Sequence, residues 1–123
     1  MNAILHDPVS EQFREPGSPF LSPSRFADVF GYQLQEVAER AGVHRNTLRL
    51  RPGTQQLQAY LQGMVRVLDA ATELTGDRDR AVFLIRNEPL RAFDRKTAAA
   101  LVAEGRADDV VLYLESFAGG AAG

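Results

Sequence analysis

The chain of 123 residues contains no cysteine and no tryptophan. Without cysteine there is no disulfide, no cysteine-ligated zinc and no thiol nucleophile. Only two histidines occur, His6 and His44, well apart in sequence; neither a metal site nor a cofactor is expected. No apolar run nears the roughly 20 residues that cross a bilayer. The N-terminus lacks the basic-then-apolar order of a signal peptide, so the expectation is a cytoplasmic protein without membrane contact. Neither sign of charge dominates, with 14 Lys and Arg against 16 Asp and Glu and a net charge of −2. Proteins that coat nucleic acid are broadly basic, so any DNA affinity must come from a local patch.

What is present is helical periodicity. Between Gln33 and Arg51 the stretch QLQEVAERAGVHRNTLRLR has the spacing of a helix-turn-helix. Leu34, Val37, Ala38 and Ala41 recur at i, i+3, i+4 and i+7, one face of a helix. Gly42 can take the left-handed conformation that ends a helix and starts a tight turn. Val43 and Leu48 supply apolar contacts for a second short helix, and Ala38 is small enough for the two to approach closely. A unit of this kind lays its second helix in the DNA major groove. The candidate DNA-binding residues are His44, Arg45, Asn46, Thr47 and Arg49, with Arg51 just beyond. Arginine satisfies both acceptors of guanine, asparagine pairs with adenine, and threonine reaches a phosphate or a thymine methyl. Four arginines against Glu36 and Glu39 leave the stretch an excess of two positive charges. Pro52-Gly53 limits the second helix to about two turns. The alternative is a helical hairpin that packs and reads nothing.

Residues 1–21 hold Pro8, Pro16, Pro19 and Gly17 without a sustained period, which predicts a flexible or loosely docked N-terminal arm. Ser22 can cap a helix whose first residue is Pro23, with Phe26, Val29 and Phe30 as its apolar face and Gly31 as its stop. The longest helix is expected over residues 54–75, before Gly76. Leu57, Tyr60, Leu61, Met64, Val65, Leu68 and Ala71 form one stripe along it, either core or dimer seam. Asp77 can cap a helix over 78–86, whose apolar run at 81–85 predicts burial on nearly all sides; a strand there fits the helical surroundings less well. After Asn87-Glu88-Pro89, Asp94 can cap a helix over 95–104, with Leu101 and Val102 inward. Asp108 can cap a last helix over 109–117 that carries Val110, Val111, Leu114 and Phe117. Residues 118–123 are glycine and alanine alone and are expected to be a mobile tail. The fold class is all-α, an N-terminal helix-turn-helix followed by a helical bundle with a small C-terminal unit. The expected divisions are 1–21, 22–76 and 77–123.

No catalytic constellation is present. Asp77, Asp79, Asp108 and Asp109 sit at helix starts, where capping accounts for them. Gly119-Gly120 has neither the strand before it nor the helix after it that a phosphate loop needs. The chain is not expected to be an enzyme or to take a small-molecule substrate. Arg91, Arg95 and Lys96 form a small basic cluster, either a solvated face or a seat for an acidic partner.

The order of the C-terminal part, IRNEPLRAF followed by DRKTAAALVAEGRADDVVLYLESFAGG, resembles the toxin-binding domain of the Xre/MbcA/ParS antitoxins. The family pattern runs from an apolar helix with an aromatic residue, through an Asn/Pro turn, to a threonine opening the next helix. A Leu-x-x-x-Gly segment, a Val-rich helix and a terminal glycine follow. The matching places are Phe83, Asn87 with Pro89, Thr97, Leu101 with Gly105, Val110 with Leu114, and Gly119 or Gly120. The chain has Phe83 where many relatives have tryptophan, Phe93-Asp94 in place of a glycine pair, and Ala98 in place of a proline. An Xre-like helix-turn-helix upstream is the family's usual companion, so the resemblance covers about residues 22–120.

The resemblance implies a type II antitoxin whose partner is a RES-domain toxin that consumes NAD, by degrading it or by transferring ADP-ribose. The antitoxin would block the toxin by covering its NAD pocket with the C-terminal helices and tail. The implied toxin-binding residues are Arg91, Arg95, Lys96, Val111, Tyr113, Phe117, Gly119 and Gly120. The family also dimerises and represses its own operon. Against this stand a stand-alone helix-turn-helix transcriptional regulator, and an adaptor that keeps the helix-turn-helix only for packing.

Overall fold

Side chains that accept the free amides of a first turn set several of the helix starts. The Ser22 hydroxyl accepts from the Arg25 amide at 3.2 Å, with Pro23 in the first turn. The Asp77 carboxylate accepts from the Asp79 and Arg80 amides. The structure is a computed structural model that describes residues 8–122; residues 1–7 and Gly123, which belong to the expected arm and tail, lie outside the described residues. The fold is all-α. Its helices are α1 (Pro8–Glu11), α2 (Pro23–Phe30), α3 (Leu34–Ala41), α4 (Arg45–Leu50), α5 (Gln55–Thr75), α6 (Arg78–Asn87), α7 (Ala98–Ala103) and α8 (Ala107–Ala122), with a 3-10 turn at Arg91–Phe93. Among the described residues, extended pairing amounts to two isolated bridges, Arg14 with Leu21 and Leu90 with Lys96. None of these helices is long and apolar enough to cross a membrane. The chain divides into two compact units, Met1–Gln62 and Gly63–Gly123, and the division falls inside α5.

In the first unit an aromatic cluster lies under α2. Phe26 meets Phe30 at 4.7 Å between ring centroids and Tyr60 edge-on at 5.7 Å, and Phe13 joins at 6.4 Å. Phe13 is wholly buried and Leu21 nearly so. Between Phe13 and Ser22 the expected arm is therefore docked at its apolar residues. Two apolar anchors, each worth about 1.5–3 kcal/mol when buried, outweigh the disorder that its prolines and glycine suggested. Gln58 fixes the segment: its side chain accepts from the Leu21 amide at 2.9 Å and donates to the carbonyls of Leu21 at 2.9 Å and Pro52 at 2.8 Å. The α5 stripe foreseen from the sequence is buried within the chain, so it is core and not a seam for a second copy. Tyr60 belongs to that stripe. Its hydroxyl is buried and meets no hydrogen-bond partner among the described residues. Burial, reinforced by Tyr32, partly offset by Arg40 and helped least by Glu36, holds its phenol well above the ordinary value of 10.0.

The second unit departs from the sequence reading in four places. The helix assigned to 95–104 begins at Ala98, with the Thr97 hydroxyl accepting from the Ala100 amide at 3.1 Å. Asp94 and Arg95 have φ of 57° and 67°, left-handed values that no first turn can contain. The loop there closes on Leu90, whose carbonyl accepts from the Phe93 and Arg95 amides while its amide donates to Lys96. The α6 helix buries Ala81 and Ile85 and leaves Phe83 at 67% exposure, because residues i and i+4 share a face and the residues between them turn away. Asp108 caps nothing: α8 starts one residue earlier, and Asp108 pairs with Arg66 at 2.6 Å. Finally, α8 continues through the expected tail to Ala122. Ala118, Ala121 and Ala122 favour the extension against a cost of about 1 kcal/mol at each of Gly119 and Gly120, and a nucleated helix extends residue by residue.

Candidate functional site

The α3–α4 segment is built by local chemistry. Glu36 and Gln33 form a reciprocal cap at the start of α3. Gly42 ends that helix at φ 73°, its amide donating to the carbonyls of Ala38 and Glu39. A Cβ at Gly42 would come within 2.8 Å of the Gln56 side-chain nitrogen, which donates to the Ala41 and Gly42 carbonyls at 3.1 and 3.0 Å. The turn thus needs glycine for its left-handed backbone, while a side chain there would displace the Gln56 amide from these carbonyls. Val37, Ala38 and Ala41 are buried, but Leu34 is 40% exposed; it was expected on the same buried face.

The six residues assigned to DNA divide by task. The His44 imidazole is the cap of α4, its Nδ1 accepting from the Asn46 amide at 3.0 Å. Leu48 is buried, so the opposite side of the helix faces solvent. Arg45, Asn46 and Arg49 are exposed, with Arg45 and Arg49 one turn apart on the flank that adjoins Leu48. Thr47 is half-buried on the other flank, and Arg51 is exposed just past the last turn. Of the four arginines counted in the sequence, Arg40 is engaged over the Tyr32 ring at 4.9 Å. The reading missed Leu50, which is 62% exposed at the end of α4.

In the second unit, Arg91 and Arg95 line an open concavity with Asp94 between them. Lys96 is exposed and pairs with Glu104 at 2.8 Å. Tyr113 and Phe117 meet edge-on at 4.9 Å, and Phe93 continues the row at 5.4 Å from Tyr113. The Arg106 guanidinium lies over Phe93 at 5.1 Å. Val111 is half-buried and lies outside this row. Gly119 and Gly120 fall within the helical span of α8. Phe93, Leu112 and Arg106 had not been singled out. Only the position of Phe93 between Arg91 and Arg95 signalled it, whereas Leu112 sits in a run of apolar residues whose outward member depends on where α8 begins.

Compared with known protein families, curated proteins and solved structures, the chain matches none.

Proposed function

We propose that the chain is a type II antitoxin, a non-enzymatic cytoplasmic protein that neutralises a RES-domain, NAD-consuming toxin. Its C-terminal unit binds the toxin, with the end of α8 covering the NAD pocket. Its α4 helix binds operator DNA as part of a homodimer that represses its own operon. The observation that carries this reading is the apolar surface left open on the second unit. Phe83, Leu112 and Phe117 are 67%, 66% and 50% exposed, and Phe117 adjoins the Tyr113 ring; apolar side chains held in water mark an interaction surface where they adjoin. The Phe93–Tyr113–Phe117 row adds broad contact area with few rotatable bonds, the composition of interface anchors. Because α8 is helical to Ala122, a toxin would meet an ordered helix, and the entropy lost on binding is less than for an extended tail. For DNA, the support is the exposed Arg45, Asn46 and Arg49 on a short helix with a defined cap.

The test is co-expression with a RES-domain toxin, taken from the adjacent reading frame where that frame encodes one, reading cellular NAD and co-purification. The full chain is expected to restore NAD and to co-purify. Leu112→Glu with Phe117→Glu is expected to lose both while keeping its helical circular dichroism, since both side chains are exposed. Deleting residues 106–123 is a poorer test, because α8 carries Val110 and Leu114 in the core and its loss would unfold the unit. NAD depletion that the full chain leaves unchanged would sink the antitoxin reading.

A further inference from the structure

The flank of α4 that carries Arg45 and Arg49 borders a concavity of about 260 Å³, enclosed by the starts of α2 and α3 and by α4 itself. Its lining is of two kinds. Pro23, Leu34 and Leu48 are apolar, whereas Arg45, Arg49 and Asn46 bring polar groups. Leu34 is the one apolar residue of α3 left substantially open, at 40%, and it opens into this space. Among the described residues neither guanidinium has an ion-pair partner. An adjoining concavity of about 300 Å³ shares Arg49 and Leu48 but is also lined by Glu15, whose carboxylate accepts from the Ser22 hydroxyl. An anion in that second space meets a like charge; in the first it meets two arginines and no carboxylate.

We infer that the first concavity is a binding site for a small organic carboxylate with an apolar body, aryl or short acyl. The carboxylate lies against the Arg45 and Arg49 guanidiniums, whose planar forks match it in geometry and charge. The apolar body covers Leu34, which is 40% exposed, and removes it from water against the buried Leu48. A free phosphate satisfies the arginines and leaves Leu34 wet, and a neutral hydrocarbon does the reverse. Only a molecule with both parts answers the whole lining. Such a ligand sits on the side chains assigned above to base reading, so ligand and DNA exclude each other. That consequence rests on the DNA reading; the binding itself does not.

The experiment uses the full chain with labelled leucine methyl groups, followed by NMR without DNA. It is titrated with benzoate and hexanoate, and with benzamide and inorganic phosphate as controls. The expected result is a saturable shift of the Leu34 and Leu48 methyls with the carboxylates, with affinity for benzamide and phosphate weaker by about tenfold. Arg45→Gln with Arg49→Gln is expected to weaken benzoate by a similar factor while the buried leucine signals stay in place, because both arginines are exposed. The inference is overturned if neither carboxylate shifts those methyls saturably. It is equally overturned if benzamide matches benzoate, which would make the site merely apolar, or if phosphate does, which would make it a plain anion seat. A separate operator titration of the unliganded chain reports on DNA binding, so failure of one reading is distinguishable from failure of the other.

Discussion

Gln58 and Tyr60 stand two positions apart on α5 and meet burial in opposite ways. Gln58 places its carbonyl oxygen and its side-chain nitrogen in three bonds to Leu21 and Pro52. Gln58→Leu would leave one amide and two carbonyls without these partners, and we expect a loss of about 3 kcal/mol, measured by urea denaturation. The Tyr60 hydroxyl is buried without a partner among the described residues, so Tyr60→Phe is expected to be neutral or to stabilise by up to about 1 kcal/mol. The phenol is also held neutral by its surroundings, its folded value lying above the ordinary 10.0. Below pH about 10 the phenol is protonated in both folded and unfolded chains, and its contribution is fully present. As pH rises further the unfolded chain releases its proton first, and stability falls. Tyr60→Phe should flatten that alkaline loss, and a denaturation series at pH about 8 to 11 checks it; an unchanged slope would place the titration elsewhere.

Elements were legible where their signals are local. Ser22-Pro23, Asp77 and Gly42 act within four residues of themselves, and each is found at the helix boundary its chemistry predicts. The α5 stripe was legible because twenty-odd residues of period average out local ambiguity. The segment from Leu90 to Lys96 was not. Asp94 has the composition of a cap, but the conformation there is set by the Leu90 hydrogen bonds that close the loop, and those are invisible in composition. The α6 run misled for a different reason: five consecutive apolar residues do not say which two face inward. Of the candidate sites, the exposed face of α4 was readable from spacing. The cavity beside it was not, since it depends on how α2 and α3 meet α4. Left-handed conformations at Asp94 and Arg95 make a prediction at this scale. Left-handed backbone is unfavourable by about 1–2 kcal/mol in residues other than glycine, so Asp94→Gly and Arg95→Gly should each raise the thermal midpoint. Arg95→Gly should at the same time weaken toxin capture, because it removes one of the two guanidiniums at the loop. A rise in stability with capture intact would remove Arg95 from the interface.

For the molecule as a whole, a net charge of −2 means that the proposed DNA binding rests on few cations. With Arg40 engaged on Tyr32, Arg45, Arg49 and Arg51 remain on or beside α4. Counterion release scales at about 0.9 per neutralised phosphate. A single chain is then expected to give a slope of about −3 in log affinity against log salt, and a homodimer about twice that. Fluorescence anisotropy with operator DNA across a salt series measures it. A slope near zero would leave α4 with no role at phosphates.

Residues 13–22 are tied to α5 through a side chain, and this has a kinetic consequence. The Leu21 amide is buried and donates to Gln58 Oε1 across 37 positions of sequence, not to a helix carbonyl. Its hydrogen–deuterium exchange therefore tracks one event, the lifting of this segment from α5, and no helix has to melt for it to occur. Exchange at Leu21 that is faster than at the α5 amides would identify that segment as the first part of the fold to open.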